Sequence, residues 1–129
     1  VVTALTFADA DRLERTTDSQ GNPKVVGEFS RLKFAVAFRD CTGGGCAWCR
    51  FQTYVTRPDM SRTEKLAFVN EWNSQWPFGS AFITGQGNLA LDQPFIAAGG
   101  VSRGNLQHAA DQWIIALTRF ILRLGPRRQ

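Results

Sequence analysis

Three cysteines, Cys41, Cys46 and Cys49, crowd one short stretch of this chain, and Cys46-Ala-Trp-Cys49 has the spacing of a redox pair. A reactive thiolate needs a depressed pKa, which a helix N-terminus or nearby cations supply. The residues around this pair alternate as a strand does, and no helix follows. Residues three apart on a strand face opposite sides, so Cys46 and Cys49 make a poor dithiol. A zinc site would need the three cysteines and the one histidine, His108; Cys49 then lies on the wrong side of the sheet from Cys41 and Cys46. The structural reading fits better. Cys41 and Cys46 face each other across a hairpin loop, where a disulfide is geometrically feasible, and Cys49 is a buried apolar thiol. Such a bridge needs an oxidising compartment.

Other candidates are weaker. His108 falls off the apolar stripe of its helix, next to Asp111, and reads as solvated. Asp9 and Asp11 are close in sequence, but they sit in an exposed, ill-defined segment unsuited to proton transfer. Gly43-Gly-Gly45 and Gly85-Gln-Gly87 lack the strand–loop–helix context and the lysine of a phosphate cradle, and read as turns. The chain is therefore expected to have no catalytic residue, no cofactor and no metal, and not to be an enzyme. Thiol-redox chemistry through Cys46 and Cys49 is the alternative for which the residues offer least support.

Charge separates two binding readings. Fifteen Lys and Arg against eleven Asp and Glu give a net charge of +4. The cations are scattered, except for Arg119, Arg123, Arg127 and Arg128 near the C-terminus. These read as compensation of a helix dipole plus a solvated basic tail over 125–129; a phosphate-binding patch for nucleic acid is the alternative. Trp48 and Tyr54, with Arg50 between them, fall on the polar face of the cysteine hairpin. Aromatics and arginine are favoured at protein interfaces, and they also stack on single-stranded nucleic acid. Cover by another element of the same chain is an equally open reading of that face.

The elements that position these residues follow from periodicity. Residues 1–12 read as a helix remnant or an irregular segment, and Leu13 to Thr17 as a strand. Asp18-Ser-Gln-Gly-Asn-Pro23 is a turn leading to a strand over Lys24 to Phe29. From Arg31 to Cys41 the residues alternate, with Leu32, Phe34, Val36 and Phe38 on one face. Cys46 to Thr56 returns. Placing Cys41 opposite Cys46 sets Phe38 against Cys49 and Val36 against Phe51 on the apolar face; Arg39 against Trp48 and Ala37 against Arg50 fall on the other. A one-residue slip would oppose apolar to polar residues on both faces. Ser61-Arg-Thr-Glu64 is a capping box that starts a helix reaching about Asn73, and Trp76-Pro77 ends the segment. Gly79 to Thr84 and Leu89 to Ala97 are strands, and Pro94 implies an edge position or a strand end. Ser102 caps a last helix, whose stripe of Leu106, Ala110, Trp113, Ile114, Leu117, Phe120, Ile121 and Leu124 is strongly amphipathic; Gly125-Pro126 stops it. Hairpins with segregated helices predict an α+β fold, an antiparallel sheet with helices packed on it, in one domain over 1–129. No apolar run approaches the length of a membrane span.

Asp18-Ser-Gln-Gly-Asn-Pro23, Phe38-Arg-Asp-Cys41, Cys46 with Phe51-Gln52, Val69-Asn-Glu-Trp-Asn73 and Gly99-Gly-Val-Ser102 before a helix containing Trp113 occur in that order. Together they resemble the YbjN family of bacterial sensory transduction regulators, over roughly Leu13 to Leu124. The resemblance implies a fold like that of type III secretion chaperones and no established catalysis. It implies a protein partner, homodimerisation, and a chaperone-like or regulatory role; nucleic acid is the less favoured partner on the scattered charge, and no membrane insertion is expected on the apolar-run length. Members with a signal peptide resemble this chain in carrying a cysteine at each side of the hairpin loop. That points to a periplasmic or secreted protein whose signal peptide has been removed before Val1, with the cytoplasm as the alternative. Cys49 and the weak first helix depart from the pattern. Within the resemblance, Asn70 and Asn73 are expected to fix their helix against the turn that follows.

Overall fold

The alternating segments form strands and the two capped segments form helices, in a computed structural model that describes residue 4, residues 10–43 and residues 45–127. The order is β1 (Asp11–Thr17), β2 (Pro23–Phe29), β3 (Leu32–Thr42), β4 (Gly45–Val55), α1 (Arg62–Gln75), β5 (Ser80–Ile83), β6 (Leu89–Ile96) and α2 (Arg103–Leu124). The strands make one six-stranded antiparallel sheet in the order β1-β2-β3-β4-β6-β5. The α+β class read from the sequence is the class observed.

The β3–β4 register is the one that alternation demanded. Val36 faces Phe51, Phe38 faces Cys49, Arg39 faces Trp48, and Cys41 faces Cys46. Pairing runs on past the cysteines to Thr42 and Gly45. At the other end the ladder stops at Ala35 and Gln52. Beyond that point the buried Thr53 hydroxyl donates to the Lys33 carbonyl at 2.7 Å, a local substitute for the ladder bond.

One face of the sheet carries the core. Val25, Phe34, Val36, Cys49, Phe51, Leu89 and Leu91 are buried there with Trp72 of α1 and with Trp113, Leu117 and Phe120 of α2. Trp113 is fully buried, its ring centroid 6.1 Å from Phe34 and 5.7 Å from Phe51. Trp72 meets Phe120 edge-on at 5.4 Å. These offset and T-shaped contacts suit the ring quadrupoles. Gly27 sits on this face because a Cβ there would lie 2.7 Å from Leu13 and 3.0 Å from Phe34.

The capping box is complete, with Glu64 N–H donating to Ser61 Oγ and Ser61 N–H to Glu64 Oε1, both at 3.1 Å. The helix runs two residues past Asn73, to Gln75, before Trp76 turns extended. Asn73 does what was expected of it. Its amide accepts from Ala81 N–H at 2.9 Å and donates to Ala81 C=O at 3.0 Å, fastening β5 to α1. Asn70 is exposed instead. Ser102 caps α2 by accepting from Asn105 N–H, and Gly125 ends it at φ 66°.

Two expectations need correction. Asp11 and Arg12 belong to β1 rather than to a helix remnant. They precede a shift of register between Asp11 and Glu14, and Arg12 has a φ of 52°, so the strand starts with an irregularity that alternation does not display. Ala4 is helical and buried, and the rest of residues 1–9, Asp9 included, lie outside the described residues. The C-terminal tail, in its described part, is not simply solvated. Buried Arg57 donates to the carbonyls of Leu124, Gly125 and Pro126 at 3.1–3.2 Å, and Arg127 donates to Thr56 C=O at 2.7 Å. The carbonyls exposed at a helix C-terminus need donors, and the segment after β4 supplies them.

Candidate functional site

The cysteines part as strand geometry requires. The Sγ atoms of Cys41 and Cys46 lie 2.06 Å apart, a bonded pair closing the hairpin. Cys49 is buried on the opposite face. Burial pushes its thiol up from 9.0 to about 11, away from the thiolate that nucleophilic chemistry requires. His108 is exposed on α2, and no group of three or more metal-ligating side chains occurs among the described residues.

The four arginines read as a patch are individually engaged where they are described. Arg119 stacks on Trp76, its guanidinium carbon 4.2 Å from the ring centroid. Arg123 pairs with Glu71 at 2.7 Å and hydrogen-bonds Gln75. Arg127 caps the turn after β4. Arg128 lies outside the described residues. These contacts bind α2 to α1 and to the β4–α1 link.

The remaining surface is the face of the sheet turned away from the helices. The pairing places Lys24, Val26 and Glu28 of β2 there, followed by Lys33, Ala35, Ala37 and Arg39 of β3, then Trp48, Arg50, Gln52 and Tyr54 of β4. Asp92, Pro94 and Ile96 of β6 and Phe82 of β5 complete it. No described helix packs on this face. Tyr54 is 54% exposed and Ile96 74%. Of the two readings left open for Trp48, Arg50 and Tyr54, cover by a described element is the one the geometry does not supply.

These side chains are held in place. Asp40 sits at φ 53°, an uncommon conformation for a non-glycine residue, and its carboxylate accepts from Trp48 Nε1 at 3.1 Å. Arg50 lies 5.4 Å from the Trp48 ring centroid and 3.6 Å from the Asp92 carboxylate. Partial burial raises the Asp92 pKa, and Arg50 pulls it back. Arg39 meets Asp18 at 3.1 Å. Asp18 also accepts from the Asn22 and Gln20 amides at 2.9 Å, and the Asn22 amide is the largest influence holding it below the ordinary carboxylate value. The face is a pre-organised mosaic of aromatic, cationic and anionic groups. Such a surface can recognise another protein, and it contains no nucleophile–base pair or metal set.

Reading the hairpin alone found Trp48, Arg50 and Tyr54. It missed Asp40, Asp92, Ile96 and Phe82, which join the face only through the β4–β6 and β5–β6 pairing and one left-handed residue. The signal that could have found three of them is parity along β5 and β6, once β6 is known to lie beside β4.

No curated protein matches the chain at a significant level. The family model YbjN, described as "Putative bacterial sensory transduction regulator", matches residues 2–126. That is nearly the whole chain, and the chain belongs to the YbjN family.

Proposed function

We propose that this is a non-catalytic regulatory domain, folded as one unit over the chain, which acts by binding protein through the open face of its sheet. The observation that carries the reading is the uncovered face itself, with Trp48 and Arg50 locked by Asp40 and Asp92 and Tyr54 and Ile96 exposed. Aromatic residues and arginine placed this way are the usual anchors of an interface. The family description, a regulator, agrees with it. Self-association through this face and a chaperone-like engagement of a client are the two forms the interaction can take. The Cys41–Cys46 pairing supports a periplasmic or secreted setting, where such a bond persists. No described helix is long and apolar enough to cross a membrane.

The test is a double substitution, Trp48→Ala with Tyr54→Ala, set against Leu122→Ala on the exposed side of α2. Multi-angle light scattering reads the mass, and crosslinking in extracts of the source cell reads the partner. The open-face variant should lose the contact while Leu122→Ala keeps it. Equal behaviour of the two variants would reject the face as the interface. The nucleic-acid alternative predicts binding that falls steeply with salt, and Arg119, Arg123 and Arg127 each already contact another part of the fold.

A further inference from the structure

A trough of about 500 Å³ crosses the open face over β2, β3 and β4. Its floor is Val26 and Ala35, neighbours in register. The core residues Phe34 and Thr53 also line it, because the β3–β4 ladder stops at Ala35 and Gln52 and the depression reaches inward there. Lys24, Lys33 and Tyr54 stand among its walls.

The charge of these walls is unbalanced. The arginines of the face have an acid within reach: Arg12 with Glu28, both in the trough wall, and outside it Arg39 with Asp18 and Arg50 with Asp92. Lys24 and Lys33 form no such ion pair among the described residues, although Lys33 stands opposite Glu28 in register, the acid that Arg12 engages. The lining therefore carries three cations, Arg12, Lys24 and Lys33, against the one acid Glu28, and this excess beside an apolar floor attracts an occupant that is both acidic and apolar, since complementary potentials steer and orient docking. The acids of the same face limit what that occupant can be. Glu14 stands in register with Val26 on the β1 side of the trough's floor, and Glu28 lines it. A continuous polyanion such as nucleic acid would meet these carboxylates at close range. Discrete carboxylates, spaced by apolar side chains, would not.

We propose that the trough docks an acidic segment of a partner protein, with carboxylates set on Lys24 and Lys33 and an apolar side chain seated on Val26 and Ala35. This rests on the open face being a contact surface and names the chemistry that it contacts.

Fluorescence anisotropy with labelled ten-residue peptides tests it. One peptide alternates glutamate and leucine, a second alternates glutamine and leucine, and a third probe is a ten-nucleotide oligo-dT. The glutamate peptide should bind, and the glutamine peptide about tenfold more weakly or not at all. The double variant Lys24→Glu with Lys33→Glu should weaken the glutamate peptide by at least about tenfold, roughly the size expected when two close charge contacts become repulsive. Arg103→Glu makes the same kind of charge change on α2 and should leave binding intact; circular dichroism confirms that both variants are folded. Absence of glutamate-peptide binding overturns the proposal. Equal loss in Arg103→Glu overturns it, as does an oligo-dT that binds more tightly and depends on the same lysines. If the peptide fails while the Trp48→Ala, Tyr54→Ala variant still loses its partner, the acidic occupant is wrong and the open face stands.

Discussion

The two faces of this sheet are made by alternate residues of the same strands, and they are stabilised by different physics. On the helix-covered face, Val36, Phe51, Leu91 and Trp113 are removed from water, and each is held by area burial and close packing. On the open face the order comes from polar geometry: Asp40 aims Trp48, Asp92 holds Arg50, and Asp18 holds Arg39. Exposed ion pairs contribute little to stability, so these contacts act mainly by positioning. The covered face therefore supplies most of the folding free energy, and the open face contributes little to it.

Substitutions should separate the faces, and the largest effect belongs to the core. Trp113→Ala should cost about 3–5 kcal/mol, as expected for deleting a large ring from a packed interior, and urea denaturation measures it. A cost near that of Trp48→Ala would erase the distinction drawn between the faces.

Arg57→Ala comes next. It removes a nearly buried guanidinium that donates to Asp59 at 2.7–2.8 Å and to the carbonyls of Leu124, Gly125 and Pro126 at the end of α2. The loss should be about 3 kcal/mol, because breaking a buried ion pair strands its partner. Hydrogen exchange should rise first in the last turn of α2; uniform change across the chain would show that Arg57 does not act as that helix's cap.

Asn73→Ala should cost about 1–2 kcal/mol through two lost backbone contacts, against less than about 0.5 kcal/mol for exposed Asn70→Ala. Denaturation midpoints compare the pair, and equal costs would mean that Asn73 does not pin β5.

Cys49 gives a pH-dependent contrast with the bonded pair. Its thiol is raised from 9.0 to about 11 by burial, so folding favours the protonated form. That contribution is fully present below pH 9.0 and is lost as pH climbs towards about 11. Iodoacetamide at pH 8 should leave Cys49 unmodified until the chain is unfolded. Rapid labelling of the native protein would place Cys49 outside the core.

The smallest effect closes the comparison. Tyr54→Ala should change stability by no more than about 0.5 kcal/mol while reducing partner capture.

Much of this was readable without coordinates, for local reasons. The period-two pattern from Leu32 to Phe38 and its echo from Cys49 to Val55 leave one register that keeps apolar with apolar, and that register carries Cys41 to Cys46. Ser61 and Glu64 signal a helix start within four residues, as Ser102 does. Pro94 reads as an edge because it donates no N–H. β5 does end opposite Asp92, leaving Pro94 paired with β4 alone. Alternation also predicts that Trp48, Arg50 and Tyr54 share a face.

What that face looks out on is not a local property. Nothing in the hairpin says whether α1 or α2 will cross it; that follows from which side buries Trp72, Trp113 and Phe120 together. The arginines near the C-terminus make the same point. Their spacing suggests a patch, while Trp76, Glu71 and the Thr56 carbonyl, distant in sequence, engage three of them. Lys24 and Lys33 come to line one trough only when β2, β3 and β4 lie side by side. The sequence by itself determined the elements, the register and the cysteine geometry, because those depend on neighbours a few residues away. Only the tertiary structure decided which side of the sheet stays open and which side chains of β5 and β6 join it, because both depend on contacts between residues far apart in the chain.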